Sequence, residues 1–260
     1  MSFDITTLDL SLEQTFYSYV NQDVPHYFFF ILDWKTNRDD TEILLALKEN
    51  RIHGMMLIYK RRIVQLRGTK PAAQELFGRI DLKKIELNTE IEHRDIVREK
   101  YRIVREHKLL LMTLRRGEER LAPTGDVIEL KSERAGEIAA LMRSANPEFW
   151  GDMNAERIVA SMNRNLWLGI IVDDRLVSVG NTFLTDFVRN IHTVATHESH
   201  RNRVYATSVV SALVKEILQT NNLALIHVLK DNIPARRVYE KVGFKICRNY
   251  LYSFAELQID

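Results

Sequence analysis

Two stretches of this sequence carry residues whose types and spacing suggest chemistry. Residues 197–206, HESHRNRVYA, form a basic turn with Arg201 and Arg203 that runs into an amphipathic helix starting at or near Val204. A helix start leaves several backbone N–H groups without partners, and the helix dipole adds partial positive charge, so such a turn attracts a phosphate or pyrophosphate. Phosphate-cradling loops usually contain glycine and this one has none, so a solvated surface corner fits it equally. The second stretch, DNIPARRVYEKVGF, places Asn232, Ala235, Tyr239, Gly243 and Phe244 in the spacing N-x-x-A-x-x-x-Y-x-x-x-G-F. Arg236 and Arg237 either reach phosphates from there or stay solvated.

These residues need a scaffold, and the second half supplies an ordered one. NIHTVAT (190–196) reads as a strand, 204–220 as a helix, LALIHVL (223–229) as a buried strand, and 232–243 as a second helix. Asn232 stands at the start of that second helix, Pro234 in its first turn and Gly243 at its stop. On the first helix Ala206, Val209, Val210, Leu213, Val214, Ile217 and Leu218 make one apolar stripe that packs on a sheet. Upstream lie a strand near 127–131, helices near 133–144 and 154–163, and a pair of strands turning at Asp173-Asp174. A last strand covers about 245–253.

The turn at 197–206 and the segment 231–244, with a buried strand between them, resemble the GCN5-related N-acetyltransferase (GNAT) superfamily over roughly 126–260. In that family the loop reads R/Q-x-x-G-x-G/A, and Arg201, Asn202, Arg203, Val204, Tyr205 and Ala206 stand at those positions. The resemblance implies an N-acetyltransferase that uses acetyl-CoA as cosubstrate, with no metal. It implies a mixed α/β fold with a mostly antiparallel central sheet flanked by helices. It also implies that the backbone of Val194, Ala195 and Thr196 lines up with the pantetheine arm, and that Arg201 to Ala206, with Thr207, wrap the pyrophosphate. Asn232 then contacts the cofactor and Tyr239 lies near its sulfur.

That chemistry needs a neutral amine, a polarised carbonyl and a proton for the departing thiolate. A tyrosine, with a pKa of about 10, is a workable donor to a thiolate whose thiol pKa is about 8.5. Tyr239 also reads as a packing residue, one place after Val238. Two positions depart from the family pattern. Val204 replaces the central loop glycine, and where one family member carries a glutamate base on the fourth strand the nearest match is Asn190. His192, two residues on and therefore on the same face of a regular strand, either takes the proton or is a sheet histidine making one hydrogen bond.

The first half repeats part of this plan. ALKENRIHGMMLIY (46–59) lies over IIVDDRLVSVGNTF (170–183) at a constant offset, either as a duplication or as two ordinary hairpins. Residues 42–68 read as a three-stranded meander with turns near Glu49-Asn50 and Lys60-Arg61, and Pro71 starts a helix. HYFFFILDW (26–34) reads as a buried strand and 11–20 as a short helix. Strands near 84–88 and 108–114 bracket a charged helix over 92–107. The first half has neither R-x-x-G-x-A nor N-x-x-A-x-x-x-Y, so a duplication makes it a smaller, degenerate GNAT-like half that binds no acetyl-CoA and shapes the acceptor pocket. Tyr59, Phe149 and Trp150 are candidates for that wall. The charged stretch 115–125 reads as a linker, dividing the chain into domains 1–118 and 127–260 joined by 119–126.

The bulk properties narrow the partners. The 260 residues carry a formal net charge of +2, 45% hydrophobic and 28% charged residues. That balance gives no general case for nucleic acid, and the basic groups Lys60-Arg61-Arg62 and Arg115-Arg116 read as a strand turn and a linker. A single cysteine, Cys247, excludes an internal disulfide and reads as a small strand residue. No apolar run is long enough to span a bilayer, and MSFDITTLDL lacks the basic lead of a secretory signal. The expectation is a cytoplasmic enzyme, with no membrane partner, acting on a small-molecule or peptide amine and able to pair as a homodimer. The competing reading is a non-catalytic CoA-binding module.

Overall fold

The hairpin turns are set by residues that tolerate left-handed backbone. Glu49 and Asn50 (φ 52° and 58°) and Asp173 and Asp174 (φ 50° and 58°) form two-residue turns, whose twist matches that of the strands they join. The computed structural model describes residues 2–258. It divides the chain into two compact units.

The first unit holds the chain to Leu111, Leu229–Asp231 and the residues from Arg248 on. Its elements are β1 (Asp4–Thr7), α1 (Glu13–Val20), α2 (Phe28–Thr36), β2 (Thr41–Lys48), β3 (Arg51–Tyr59), β4 (Ile63–Gly68), α3 (Lys70–Gly78), β5 (Lys84–Glu90), α4 (Arg94–Lys100) and the start of β6 (Tyr101–Arg115). Strands β1 to β4 pair antiparallel in order, and β5 joins β4 in parallel. Met56, Leu66, Ala72, Leu76, Phe77, Leu87 and Val97 fill the core between sheet and helices.

The second unit holds Met112–Val228 and Asn232–Cys247. It contains β7 (Ile128–Glu129), α5 (Ala135–Ala145), α6 (Pro147–Trp150), α7 (Ala155–Met162), β8 (Asn165–Val172), β9 (Arg175–Phe183), β10 (Arg189–Thr196), α8 (Tyr205–Thr220), β11 (Leu223–Leu229) and α9 (Ile233–Val242). Strands β7 to β10 are antiparallel neighbours and β11 pairs with β10 in parallel. Residues of the expected stripe on α8, Val209, Val210, Leu213, Val214, Ile217 and Leu218, are buried. Gly180 lets α8 approach: a Cβ there would lie 2.9 Å from both Leu213 and Val209. Among the described residues, no helix is long and apolar enough to cross a membrane.

The two units repeat each other. β2 and β3 reappear as β8 and β9 with identical lengths, and the order strand, helix, strand, helix follows in both. Even the irregularities recur: the first hairpin shifts register between Ala46 and Leu47, the second at the matching Ile170 and Ile171. An ordinary hairpin has no reason to share a bulge at the same position, so duplication is the better reading.

Four expectations are corrected. Residues 28–36 are helix and not strand, because Phe28, Phe30, Ile31, Leu32 and Trp34 are buried on nearly every side and an all-round apolar helix carries no period to read. The charged helix ends at Lys100, and the alternation through Tyr101, Ile103 and Arg105 belongs to β6. The stretch 115–125 is no free linker: Arg116 N donates to Asn222 O (3.0 Å), Arg120 N to Val242 O (2.8 Å) and Ala122 N to Ser211 Oγ (3.0 Å). The second domain also does not run to the C-terminus. Past Cys247 the last strand, β12 (Lys245–Leu257), pairs with β5 of the first unit from Tyr250 to Glu256.

Gly243 shows how the packed stretch 115–125 constrains the motif segment. It ends α9 in the left-handed region (φ 116°), where its N–H bonds Tyr239 O and Glu240 O, and a Cβ would lie 2.5 Å from Glu118 O. Gly243→Ala is therefore expected to lower stability by about 1–3 kcal/mol, read as a fall in the urea midpoint at unchanged slope. An unchanged midpoint would show that the 115–125 stretch moves aside at no cost.

Candidate functional site

The site begins where two strands part. Residues Arg189–Ile191 of β10 pair in parallel with Ala224–Ile226 of β11, and the pairing goes no further although both strands continue. Beyond that point β10 is paired with β9 alone, through Thr193–Thr196. The edge of Val194, Ala195 and Thr196 that would have faced β11 thus has no strand beside it. A bulge marks the departure, since the register with β9 shifts between Ile191 and Thr193, and buried Asn181 accepts the Thr193 N–H at 3.0 Å.

A cleft of about 810 Å³ opens there. β10 contributes Val194, Ala195 and Thr196, and the following loop contributes His200, Arg201, Asn202, Arg203 and Val204. Ala206 and Thr207 come from the first turn of α8, and Asn232, Pro234, Ala235, Arg237, Val238, Tyr239 and Lys241 from α9 and its start. Of the expected cofactor-binding residues only Tyr205 is absent from this lining; its ring sits 6.0 Å from that of His200.

The helix starts differ in a telling way. At α9 the Asn232 side chain accepts from Ala235 N (3.2 Å), a normal cap. At α8 the cap position is Val204, which has no side-chain acceptor, and the first helical bond runs from Ser208 N to Val204 O. The amides of Tyr205, Ala206 and Thr207 are left as unsatisfied donors at the cleft. Arg201 stays on the loop, its Nε donating to Thr196 O at 3.3 Å. The missing glycine costs no strain: Val204 has φ −73°, and the left-handed residue of the loop is Asn202 (φ 60°).

Comparison with known proteins bears on the fold. Residues 167–253 match the family model of the FR47-like protein. A solved Drosophila protein matches over 99% of both chains with a TM-score of 0.72 and 11% identity. An acetyltransferase of the GNAT family from Colwellia psychrerythraea matches over 98% of this chain and 100% of its own (TM-score 0.60, 15% identity). A tandem GNAT protein from the clavulanic acid biosynthesis pathway matches over 85% and 84% (TM-score 0.55, 12% identity). No curated protein matches the sequence. The chain has the GNAT fold.

Tyr239 lines the cleft from α9 and is buried. It is 6% exposed, and its ring packs edge-on against Phe244 at 6.1 Å. Desolvation raises its pKa above the ordinary 10, so the phenol stays protonated. Its hydroxyl has no hydrogen-bond partner among the described residues, which leaves it free to donate into the cleft.

His192 stands elsewhere. It falls in the β10 bulge, so the expectation that it shares a face with Asn190 fails: strict alternation is lost where the register shifts. Asn190 is 1% exposed and bonded to His227 Nδ1 at 3.2 Å, whereas His192 keeps an open side toward solvent and does not line the cleft. Phe183 and Trp150 crowd its ring at 5.1 and 6.0 Å, and the resulting loss of water pushes its pKa down to about 4. Trp150 thus joins the histidine, while Tyr59 lies in the first unit under Lys60.

The first unit closes the matching place. At the end of the β4–β5 pairing, whose last pair is Leu66–Thr89, Arg67 donates to Asn88 O (2.9 Å) and Asn88 Oδ1 (2.7 Å), and Gly68 N to Glu90 Oε2 (3.1 Å). His93 bonds Gly68 O at 3.0 Å. Side chains fill the gap between the parallel strands that the second unit leaves open.

Because the folded pKa of His192 lies below its unfolded value of 6.5, the unfolded chain takes up the proton first as pH falls. His192 therefore contributes a loss of stability from pH 6.5 down to about 4, and none above. An NMR titration should place its ring midpoint near 4, and His192→Gln should flatten the stability profile in that window. A midpoint at 6.5 would show the ring to be freely hydrated.

Proposed function

We propose that the protein is an acetyl-CoA-dependent N-acetyltransferase that moves the acetyl group directly to an amine bound in the same complex. One observation carries the reading. A single cleft joins an unpaired strand edge, an uncapped helix start with two arginines, and a buried protonated tyrosine. Colwellia's GNAT-family acetyltransferase shares the fold, which is consistent with this reading. The donor set fits CoA: amides and guanidinium groups for a pyrophosphate, a strand edge for the amide-bearing pantetheine arm, and no carboxylate in the lining to repel phosphate.

When bound, acetyl-CoA supplies an activated acyl group as a thioester. The edge of Val194–Thr196 orients it by main-chain hydrogen bonds, as an added strand would. Tyr205–Thr207 amides and Arg201 and Arg203 hold the phosphates. Tyr239 holds a proton for the departing sulfur and, with its pKa raised, regains it from water at neutral pH. The amine's own proton leaves to water, since His192 lies outside the cleft lining and its pKa near 4 makes it a weak base. The first unit, sealed by Arg67, takes no cofactor in this reading.

The absence of a carboxylate base from the cleft favours a second reading, a module that binds CoA without turnover. One variant separates the two. Tyr239→Phe should lower kcat by about 10- to 100-fold while the acetyl-CoA Kd stays within about twofold. Unchanged turnover would remove Tyr239 from the chemistry, and absence of turnover by the unaltered protein on a broad amine panel would favour the binding module. Acetyl-CoA at about 100 times its Kd should also stabilise the fold by about 2.7 kcal/mol, read as a rise in Tm. No shift at millimolar acetyl-CoA would sink both readings.

A further inference from the structure

Helix α9 carries two charge ladders. Arg236 pairs with Glu240, one turn on, at 3.3 Å. Arg237 and Lys241, also one turn apart, are both cations, both exposed, and both line the cleft. Neither makes an ion pair among the described residues. Like charges at this spacing repel, with Cβ atoms about 6 Å apart, so the pair weakens the helix unless an anion sits beside it.

The cleft holds more positive charge than a pyrophosphate uses. Arg201 and Arg203 stand on the loop beside the uncapped amides of α8, two cations and a set of N–H donors that match the two charges of a bridged pyrophosphate. Arg237 and Lys241 face the same space from the other helix, and no aspartate or glutamate lines the cleft to neutralise them. A ligand that matches the whole lining has a second anionic group set apart from the pyrophosphate. A phosphomonoester carries about −1.5 to −2 at pH 7 and offers three acceptor oxygens, enough to bridge a guanidinium and an ammonium.

We propose that Arg237 and Lys241 bind the 3′-phosphate of CoA and make the protein select CoA over its 3′-dephospho form. The assignment rests on the cofactor reading above and adds to it a pair of specificity-determining residues. Arg236, held by Glu240, takes no part.

Calorimetric titration with CoA and with 3′-dephospho-CoA tests this on the full chain. The unaltered protein should bind CoA at least about tenfold more tightly, with the gap shrinking as salt rises. R237Q/K241Q should bring the ratio near one by weakening CoA alone, and R236Q should leave the ratio as it was. Far-ultraviolet circular dichroism of each variant checks that the helix is retained. Equal affinity of the unaltered protein for both ligands would overturn the assignment and leave the cofactor reading standing. So would a double variant that weakens both ligands alike, which would place the pair at the pyrophosphate. Binding of neither ligand by the unaltered protein would overturn the cofactor reading and this assignment together.

Discussion

β10 can satisfy its second edge against β11 only as far as Ile191, and the rest of the site follows from that limit. A parallel pair that continued would leave no backbone for a ligand and no room between α8 and α9. The bulge at His192 turns the strand, Asn181 meets the displaced N–H of Thr193, and the freed edge faces the cleft. The first unit makes the same start with β4 and β5 but ties the far end with Arg67, Asn88, Glu90 and His93. One ancestral layout therefore gives an open and a closed version, and what differs is whether side chains or a ligand complete the hydrogen bonding.

The valine at the loop's central position illustrates how a departure from a motif is judged by conformation and not by identity. With an ordinary helical φ it needs none of glycine's freedom. Its lack of a capping oxygen leaves the α8 amides open, whereas Asn232 closes those of α9. Val204 is also 53% exposed beside the cleft, apolar surface that a bound ligand would cover.

Much of this was legible in the sequence because local signals and packing agree. The hairpins at Glu49-Asn50 and Asp173-Asp174, the α8 stripe, and the Asn232, Pro234 and Gly243 signals of α9 each carry their own physical cause and stand where expected. The repeat between 46–59 and 170–183 held down to the bulge. What was not legible depended on distant partners. Helix α2 has no polar face, so its period is silent. The bulge at His192 is set by Asn181 on the neighbouring strand, and without it the face of His192 is misassigned. Residues past Cys247 look like the end of the second domain until β5 is seen to need a partner. Lys241 was overlooked, although its spacing from Arg237 was the available signal.

In the proposed function, the parted strands and the uncapped helix of the second unit form one acyl-CoA cleft. Amide hydrogen exchange with and without acetyl-CoA tests it most directly, because it reads the very N–H groups said to be waiting. Added protection is expected at Val194 and Thr196, whose N–H groups point away from β9, and at Tyr205–Thr207, with the matching segment of the first unit, Arg67–Lys70, unchanged. Protection confined to the first unit, or none at Tyr205–Thr207 when the ligand is bound, would contradict it.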